Sequence, residues 1–409
     1  MKVRPLAGLA LVLTLAACRE NLSPNAGGWV QVAAGSQFTC GLTQQGDAWC
    51  WGTGTFGQLG NNATTQQLTP AKVAGGHVFL TLAVGTSHAC GLIAGGAAWC
   101  WGLNDYGELG VVTGICNGNV QFVDCSKVPI AVGGGVGFDS IAVAAYSSCA
   151  LDAVGAAWCW GFNDHGQLGT GAAVGSKTAT PVRVAGNRTF LSVTLDVNHA
   201  CGTTAPGGLF CWGSNDFGQL AADTLLMAHC GVGQGFYCSA SPIAAAAGVA
   251  ATRVSAGSTH TCAIVSGGAA YCWGSNEYGV LGNAGSPGGR TPVAVTGNHA
   301  FARISAGGDH TCALDVGGQA FCWGLNTFGQ LGVATSPTAC PAFGTIQFCA
   351  AAPVAVEGVP LFVEVSAGNG HTCGLTTAGE IWCWGRGTEG QLGDGNGVTS
   401  TVPVRVNHS

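Results

Sequence analysis

The sequence is poor in charge. Only 8% of its residues are Asp, Glu, Lys or Arg, and the basic ones stand singly. Nucleic-acid surfaces need clustered Lys and Arg that release phosphate counterions, so this scatter excludes nucleic acid as a partner. No apolar run reaches the roughly 20 residues that a mature membrane-spanning helix needs. No Gly-x-Ser-x-Gly elbow, Gly-rich phosphate loop or His-Glu-x-x-His occurs. The local signatures of serine hydrolases, P-loop nucleotide enzymes and zinc metalloproteases are therefore missing.

Glycine, cysteine and tryptophan are abundant instead, at 70, 21 and 12 residues. The glycines follow no three-residue period, which excludes a collagen-like chain. A hydrophobic content of 47% is enough to bury a core and argues against disorder. High glycine, little charge and many β-branched residues indicate short strands joined by tight turns.

The first residues read as a separate segment. Lys2 and Arg4 precede an apolar run from Leu6 to Leu15, followed by Ala16-Ala17-Cys18. That pattern describes a secretory signal peptide, and Leu15-Ala16-Ala17-Cys18 resembles the bacterial lipobox, whose cysteine becomes the lipidated first residue. Residues 1–17 are thus expected to be a lipoprotein signal peptide and 18–28 a lipidated tether anchored through Cys18. Arg19 replaces the aspartate associated with inner-membrane retention, which favours the outer membrane. Setting Cys18 aside leaves 20 of the 21 cysteines, an even number suited to complete pairing in an oxidising compartment. Losing Lys2 and Arg4 from 13 basic residues leaves 11 against 19 acids.

From residue 29 onward one unit recurs seven times. Trp-Gly occurs at Trp51, Trp101, Trp160, Trp212, Trp273, Trp323 and Trp384. Just before each stand two cysteines ten residues apart. They are Cys40 and Cys50, Cys90 and Cys100, Cys149 and Cys159, Cys201 and Cys211, Cys262 and Cys272, Cys312 and Cys322, and Cys373 and Cys383. A proline follows in each unit, from Pro70 to Pro403. Six residues after each first cysteine is a glycine, Gly46 in the first unit and Gly379 in the last. A three-residue hairpin loop ending in a left-handed glycine would bring the two cysteines face to face within disulfide reach. Two further extended runs per unit bring the count to four strands. The expected fold is all-β: a seven-bladed β-propeller of four-stranded blades over residues 29–409. The chain opens at Trp29-Val30-Gln31-Val32 and ends at Val402-Pro403-Val404-Arg405-Val406. Ring closure is expected by pairing of these N- and C-terminal segments, the last run supplying a strand that the first unit lacks.

Phe162-Asn163-Asp164-His165-Gly166-Gln167-Leu168-Gly169 after Trp160-Gly161 resembles the signature of the regulator of chromosome condensation repeat. So do Leu325-Asn326-Thr327-Phe328-Gly329-Gln330-Leu331-Gly332 and the Gly257-Ser258-Thr259-His260-Thr261 element. The resemblance covers residues 29–409 and implies the same seven-bladed propeller. It implies no single function, since members include a nucleotide-exchange factor, an ultraviolet photoreceptor and an enzyme inhibitor. The photoreceptor's Gly-Trp-Arg-His-Thr loop has no counterpart here.

Residues shared by all units read as scaffold. His88, His199, His260, His310 and His371 each precede a first cysteine by two. Because Phe38 and Ser147 fill the same place and disulfide cysteines cannot ligate zinc, no metal or cofactor is expected. Asp105, Asp164, Asp216 and Glu277 share one position and read as turn caps, not as a hydrolytic carboxylate pair. Arg253 and Arg303 read as sharing no site, against the arginine cluster of a sialidase-like propeller. The distance from Trp-Gly to the next proline is 19, 28, 21, 30, 19, 30 and 19 residues, so length variation falls in one connection, on one face. The three long connections carry the remaining cysteines, Cys116 with Cys125, Cys230 with Cys238 and Cys340 with Cys349. They also carry the aromatics Phe122, Phe236, Tyr237, Phe343 and Phe348. Aromatics held by a local disulfide would be pre-organised for binding. The expectation is an extracytoplasmic, lipid-anchored scaffold that recognises a protein or glycan partner through these loops, at the cell surface or in the periplasm. A carbohydrate-active or other hydrolytic propeller enzyme is the alternative.

Overall fold

The computed structural model describes residues 28–407, apart from 117–122, 173, 224–226, 231–234, 285, 335–337 and 343–344, and apart from the side chains at 228–229, 338–342 and 345–347. Every regular element among the described residues is a β-strand. Blade one comprises β1 (Trp29–Ala34), β2 (Phe38–Thr43), β3 (Ala48–Gly52) and β4 (Gln67–Lys72), antiparallel in sequence order. Six further sheets repeat this order over residues 79–131, 138–183, 192–244, 251–294, 301–355 and 362–405. The long connections of blades four and six add a short fifth strand, Ala228–Cys230 and Thr338–Ala342. The first strand of each blade is innermost and lines a central channel.

The cysteine spacing has the geometry that the turn chemistry requires. Cys40 stands opposite Cys50, with Cα atoms 4.1 Å apart, close to the spacing of a non-hydrogen-bonded antiparallel pair. Gly46, at φ 85°, is the third loop residue, and its N–H donates to the Thr43 carbonyl at 2.9 Å. The same ten-residue disulfide closes the hairpin of every other blade. Cys90 is bonded to Cys100, Cys149 to Cys159 and Cys201 to Cys211. Cys262 is bonded to Cys272, Cys312 to Cys322 and Cys373 to Cys383. All seven pairs agree with the spacing expected from the sequence.

The core lies between blades, not within them. Strand alternation sends the cysteines to one side of each sheet and the tryptophans to the other. Cys40, Cys50 and Leu42 of blade one therefore pack with Phe79, Leu82 and Trp101 of blade two, and six equivalent clusters fill the other seams. All seven Trp-Gly tryptophans are fully buried. Each indole N–H finds a carbonyl on the preceding blade, as burial demands. Trp101 donates to Gln58 at 3.0 Å and Trp384 to Gln330 at 2.9 Å. Gly60, at φ 64°, leaves room for this ring, since a Cβ there would lie 2.8 Å from the indole.

A second link joins five of the seams. His310 Nε2 lies 2.8 Å from Thr372 Oγ1 on the next blade, and that hydroxyl donates to the Gln330 carbonyl at 2.9 Å. The hydroxyl has one proton and spends it on the carbonyl, so the imidazole must donate from Nε2, and burial keeps the ring neutral. His88–Ser148, His199–Thr261, His260–Thr311 and His371–Thr39 repeat the arrangement. The two seams without it are complementary in sequence: Phe38 faces blade two's Ala89, and Ser147 precedes blade four's Ala200. The histidines are scaffold.

Ring closure differs from the sequence expectation. The proline-bearing run of each unit pairs with the tryptophan strand before it, as in Trp49↔Lys72 and Trp382↔Arg405, so it is the outermost strand of its own blade. Blade one lacks nothing, and the C-terminal strand Ser400–Arg405 stays in blade seven. The ends meet instead through the seam chemistry used elsewhere. Trp29 N–H donates to Gly379 at 3.0 Å, the counterpart of Phe79 to Gly46. Trp51 donates to Gln391 at 3.0 Å, and His371 reaches Thr39. The reading of Arg253 and Arg303 as sharing no site is also overturned. Each follows the bulge of an inner strand, pairing with Ile264 and Leu314 respectively, so they hold one repeat position in adjacent blades.

Burial sets the response to acid. It depresses His88, His199, His310 and His371 to about 3 and His260 to about 4. It lifts the carboxyls of Glu108, Asp196 and Glu364 to about 7; the surface that Asp196 and Glu364 keep lies inside the channel. Between about pH 4.5 and 6.5 the unfolded chain binds protons at the five histidines that the folded chain refuses. In the same window it releases the protons that the folded chain keeps on the three carboxyls. Net uptake on unfolding means that stability falls as pH falls, by up to ~3 kcal/mol per pH unit. Thermal melts should show Tm dropping from pH 6.5 to 4.5, and dropping more steeply in Glu108→Gln, which removes one opposing carboxyl. A Tm that is flat or rises on acidification would contradict the buried neutral histidines.

Candidate functional site: the aromatic loop face

The first-to-second strand turns and the third-to-fourth strand connections of every blade emerge on one side, here termed the loop face. The repeated Gly-Gln-Leu-Gly segment builds its surface. Gln58 Oε1 accepts the Phe56 N–H at 2.8 Å, and Gln167, Gln219, Gln330 and Gln391 do the same for His165, Phe217, Phe328 and Glu389. All five glutamines are buried. In blade two Glu108 takes the place, accepting from Tyr106 N–H at 2.8 Å, and its raised carboxyl lets it carry a proton where the other blades use an amide. Asn104, Asn163, Asn215, Asn276 and Asn326 then accept the N–H of the leucine five residues on. A buried polar side chain thus fixes the turn that presents each outward residue.

That outward residue is aromatic in five blades: Phe56, Tyr106, Phe217, Tyr278 and Phe328, with His165 in blade three and Glu389 in blade seven. Phe217 and Phe328 are 50% and 36% exposed. Tyr106 lies tilted against Phe162 at 4.5 Å and meets Tyr146 edge-on at 5.5 Å. Two of the rings already hold a cation of the chain itself, Lys177 at 6.0 Å from Tyr106 and Arg386 at 5.5 Å from Phe328. None of these five was singled out from the sequence, because the position sits inside the repeat motif. Its signal was legible: an aromatic recurs where the strand pattern leaves no interior to fill.

The long connections rise from the same face. In blade four the strand Phe236–Ala244 runs past the end of its inner neighbour and pairs with Ala228–Cys230, and the disulfide between Cys230 and Cys238 closes the hairpin. Phe236 and Tyr237 are both exposed, with Phe236 5.6 Å from the His165 ring. In blade six Phe348 is 59% exposed beside the disulfide-bonded Cys349; the Cys340 side chain lies outside the described residues. In blade two Cys116 is bonded to Cys125. Phe122 and Phe343 lie outside the described residues. Asp105 accepts the Asp124 N–H at 2.9 Å and Asp216 the Tyr237 N–H at 2.8 Å, so these carboxylates brace the loop bases.

The loop face is acidic. Asp105, Asp164, Asp216, Glu277, Asp309 and Glu389 stand there against Lys127, Lys177, Arg290 and Arg386. Two of those cations are already paired, Arg290 with Asp223 at 2.9 Å and Arg386 with Glu389 at 3.3 Å. At the channel mouth burial, and secondarily Glu277, raise the Asp309 carboxyl above its ordinary range.

The chain matches sequence profiles of known families. A profile described as regulator of chromosome condensation (RCC1) repeat matches residues 45–92, 155–202, 206–264, 317–375 and 378–409, and a second of the same description matches 29–58, 251–280, 294–330 and 362–391. The chain is 28% identical over 382 residues to the ultraviolet-B receptor UVR8 of Arabidopsis thaliana, covering 91% of this chain and 69% of the receptor. It is 25% identical over 239 residues to the E3 ubiquitin-protein ligase HERC2 of Homo sapiens, covering 57% of this chain but 5% of the ligase. Among solved structures, yeast RCC1 (Prp20) bound to Kap60 superposes with TM-score 0.75 at 18% identity, over 100% of this chain and 90% of that one. Human WBSCR16 gives 0.71 at 20%, over 88% and 94%. These structural likenesses bear on the fold alone. With more than half of its residues matched by one repeat profile, the chain belongs to the regulator of chromosome condensation (RCC1) repeat family.

Proposed function

We propose that the chain is a lipid-anchored, extracytoplasmic binding scaffold that recognises a protein or glycan partner through its loop face, and that it is not an enzyme. One observation carries this reading: four outward aromatics, Phe56, Tyr106, Phe217 and Phe328, are each held in place by a buried glutamine or glutamate. Rigid aromatic surfaces give much contact area for little loss of side-chain freedom. The disulfide-closed hairpin carrying Phe236 and Tyr237 extends that surface at the rim. Protein is the favoured partner class, since yeast RCC1 has been crystallised bound to Kap60 and Prp20p has been studied for its binding to Gsp1p and histones. The anchor rests on the lipobox-like Leu15-Ala16-Ala17-Cys18 and on the oxidising compartment that so many disulfides require.

The binding face is tested by measuring affinity for a captured partner before and after substitution. Phe217→Ala with Phe236→Ala and Tyr237→Ala should weaken binding by about tenfold or more while leaving Tm within a few degrees. Unchanged affinity would place the site elsewhere. The anchor is tested separately in bacterial cells. Labelling with a fatty acid should mark the protein in the membrane fraction, and Cys18→Ser should abolish the label; a wild-type chain that takes up no label would contradict it.

A further inference from the structure

The channel carries a second feature, on the side away from the aromatic loops. One position of the inner strand, the one that pairs with the residue two after each first cysteine, is filled differently from blade to blade. It holds a hydroxyl in three blades, Thr81, Ser140 and Ser192. In blade one it holds Gln31, which clips the next blade's inner strand: its Nε2 donates to the Leu82 carbonyl at 2.8 Å and its Oε1 accepts the Leu82 N–H at 2.9 Å. Glu364 of blade seven does half of this, accepting Val32 N–H at 3.2 Å.

Blades five and six carry a cation at this position instead. Arg253 and Arg303 hold the position there, and a guanidinium has no acceptor to offer a strand N–H. The two inner strands, Ala251–Ala256 and Phe301–Ala306, are neighbours, joined by Ala306 N–H donating to Ser255 Oγ at 2.9 Å. Both arginines are exposed. Among the described residues neither has a hydrogen-bond or salt-bridge partner. Glu364, at the same position in blade seven, feels the charge of Arg303, yet burial still pushes its carboxyl up to about 7. Partial burial of its stem, and then the like charge of Arg303, oppose the charge on Arg253, so the two cations feel one another. Two like charges are thus set side by side at adjacent seams, which does not serve the ring. A cavity of about 400 Å³ lined in part by Gln31, Thr194 and Glu364 lies in the same channel.

We propose that Arg253 and Arg303 together form a binding site for a phosphate group, at the channel mouth opposite the loop face. A guanidinium presents paired N–H donors that match phosphate oxygens. A tetrahedral phosphate has oxygens enough to engage two such forks at once. This site is independent of the partner-binding reading of the loop face.

The test uses Arg253→Gln with Arg303→Gln, which installs the residue that blade one uses at this position and so allows the same clip to form. In phosphate-free buffer the double variant should melt at or above the wild-type temperature, because the repulsion is gone. Titration with inorganic phosphate, against chloride at equal ionic strength, should raise the wild-type Tm saturably. The double variant should lose the rise, with phosphate affinity weakened by about tenfold or more. Glycerol phosphate in a parallel titration separates the sources. A stronger shift than phosphate gives indicates an esterified ligand, and a weaker one the free ion. Three results would each overturn the proposal: no phosphate effect beyond the chloride control, an equal effect in the double variant, or a double variant that melts well below wild type without phosphate.

Discussion

One backbone carbonyl per blade holds the ring together. In five seams it accepts two hydrogen bonds from the next blade, an indole N–H and a hydroxyl, as the Gln330 carbonyl does from Trp384 and Thr372. The hydroxyl is in turn fed by a histidine of the carbonyl's own blade. Every member is buried, so each bond is made where an unmade one would cost a full desolvation penalty. Because Gln391 performs the same service for Trp51 and Thr39, the closing seam is held like the others, and no strand needs to cross between the first blade and the last.

This arrangement also explains why the binding face can vary. The Gln or Glu whose carbonyl links the blades uses its side chain to pin the outward residue two positions earlier. Scaffold and surface therefore meet in one residue, with its carbonyl facing inward and its amide or carboxyl gripping the turn. Between that turn and the fourth strand the chain is tied to the next blade by isolated backbone bonds, as where Asn62 N–H donates to Lys127 and Gly171 N–H to Ala240. Insertions there lengthen blades two, four and six; in blade four the added chain sets Met227 against the core cluster of its own blade.

The fold was legible because its marks come in sevens. Cysteine spacing, hairpin glycine and Trp-Gly each follow from one hairpin geometry, and repetition removes chance. The phase was misread because the proline run was counted with the hairpin that follows it, whereas it pairs with the tryptophan strand before it, as in Trp49↔Lys72. The histidine links were also written in the sequence, though as a correlation between neighbours. Where a blade lacks the histidine, at Phe38 and Ser147, the next blade carries alanine in place of the hydroxyl, at Ala89 and Ala200. Reading units one at a time hides that pairing. The arginine pair was legible as well: Arg253 and Arg303 stand at the same distance before Cys262 and Cys312, in adjacent units. Phe236, Tyr237 and Phe348 could be chosen from the sequence because they sit in insertions. The ring from Phe56 to Phe328 was passed over because it belongs to the repeat.

The claim that buried histidine–hydroxyl pairs hold the seams is tested most directly by a double-mutant cycle at blades six and seven. Thr372→Ala leaves the His310 N–H without an acceptor, and His310→Phe sets an aromatic ring against a hydroxyl, so each alone should cost about 1–3 kcal/mol in denaturant unfolding. Together they recreate the Phe38–Ala89 pair that the first seam already uses. The account predicts a double variant no less stable than the worse single one, with a coupling of about 1 kcal/mol or more. Costs that simply add would show that the two side chains do not act as a pair, and the account of the ring would fail with them.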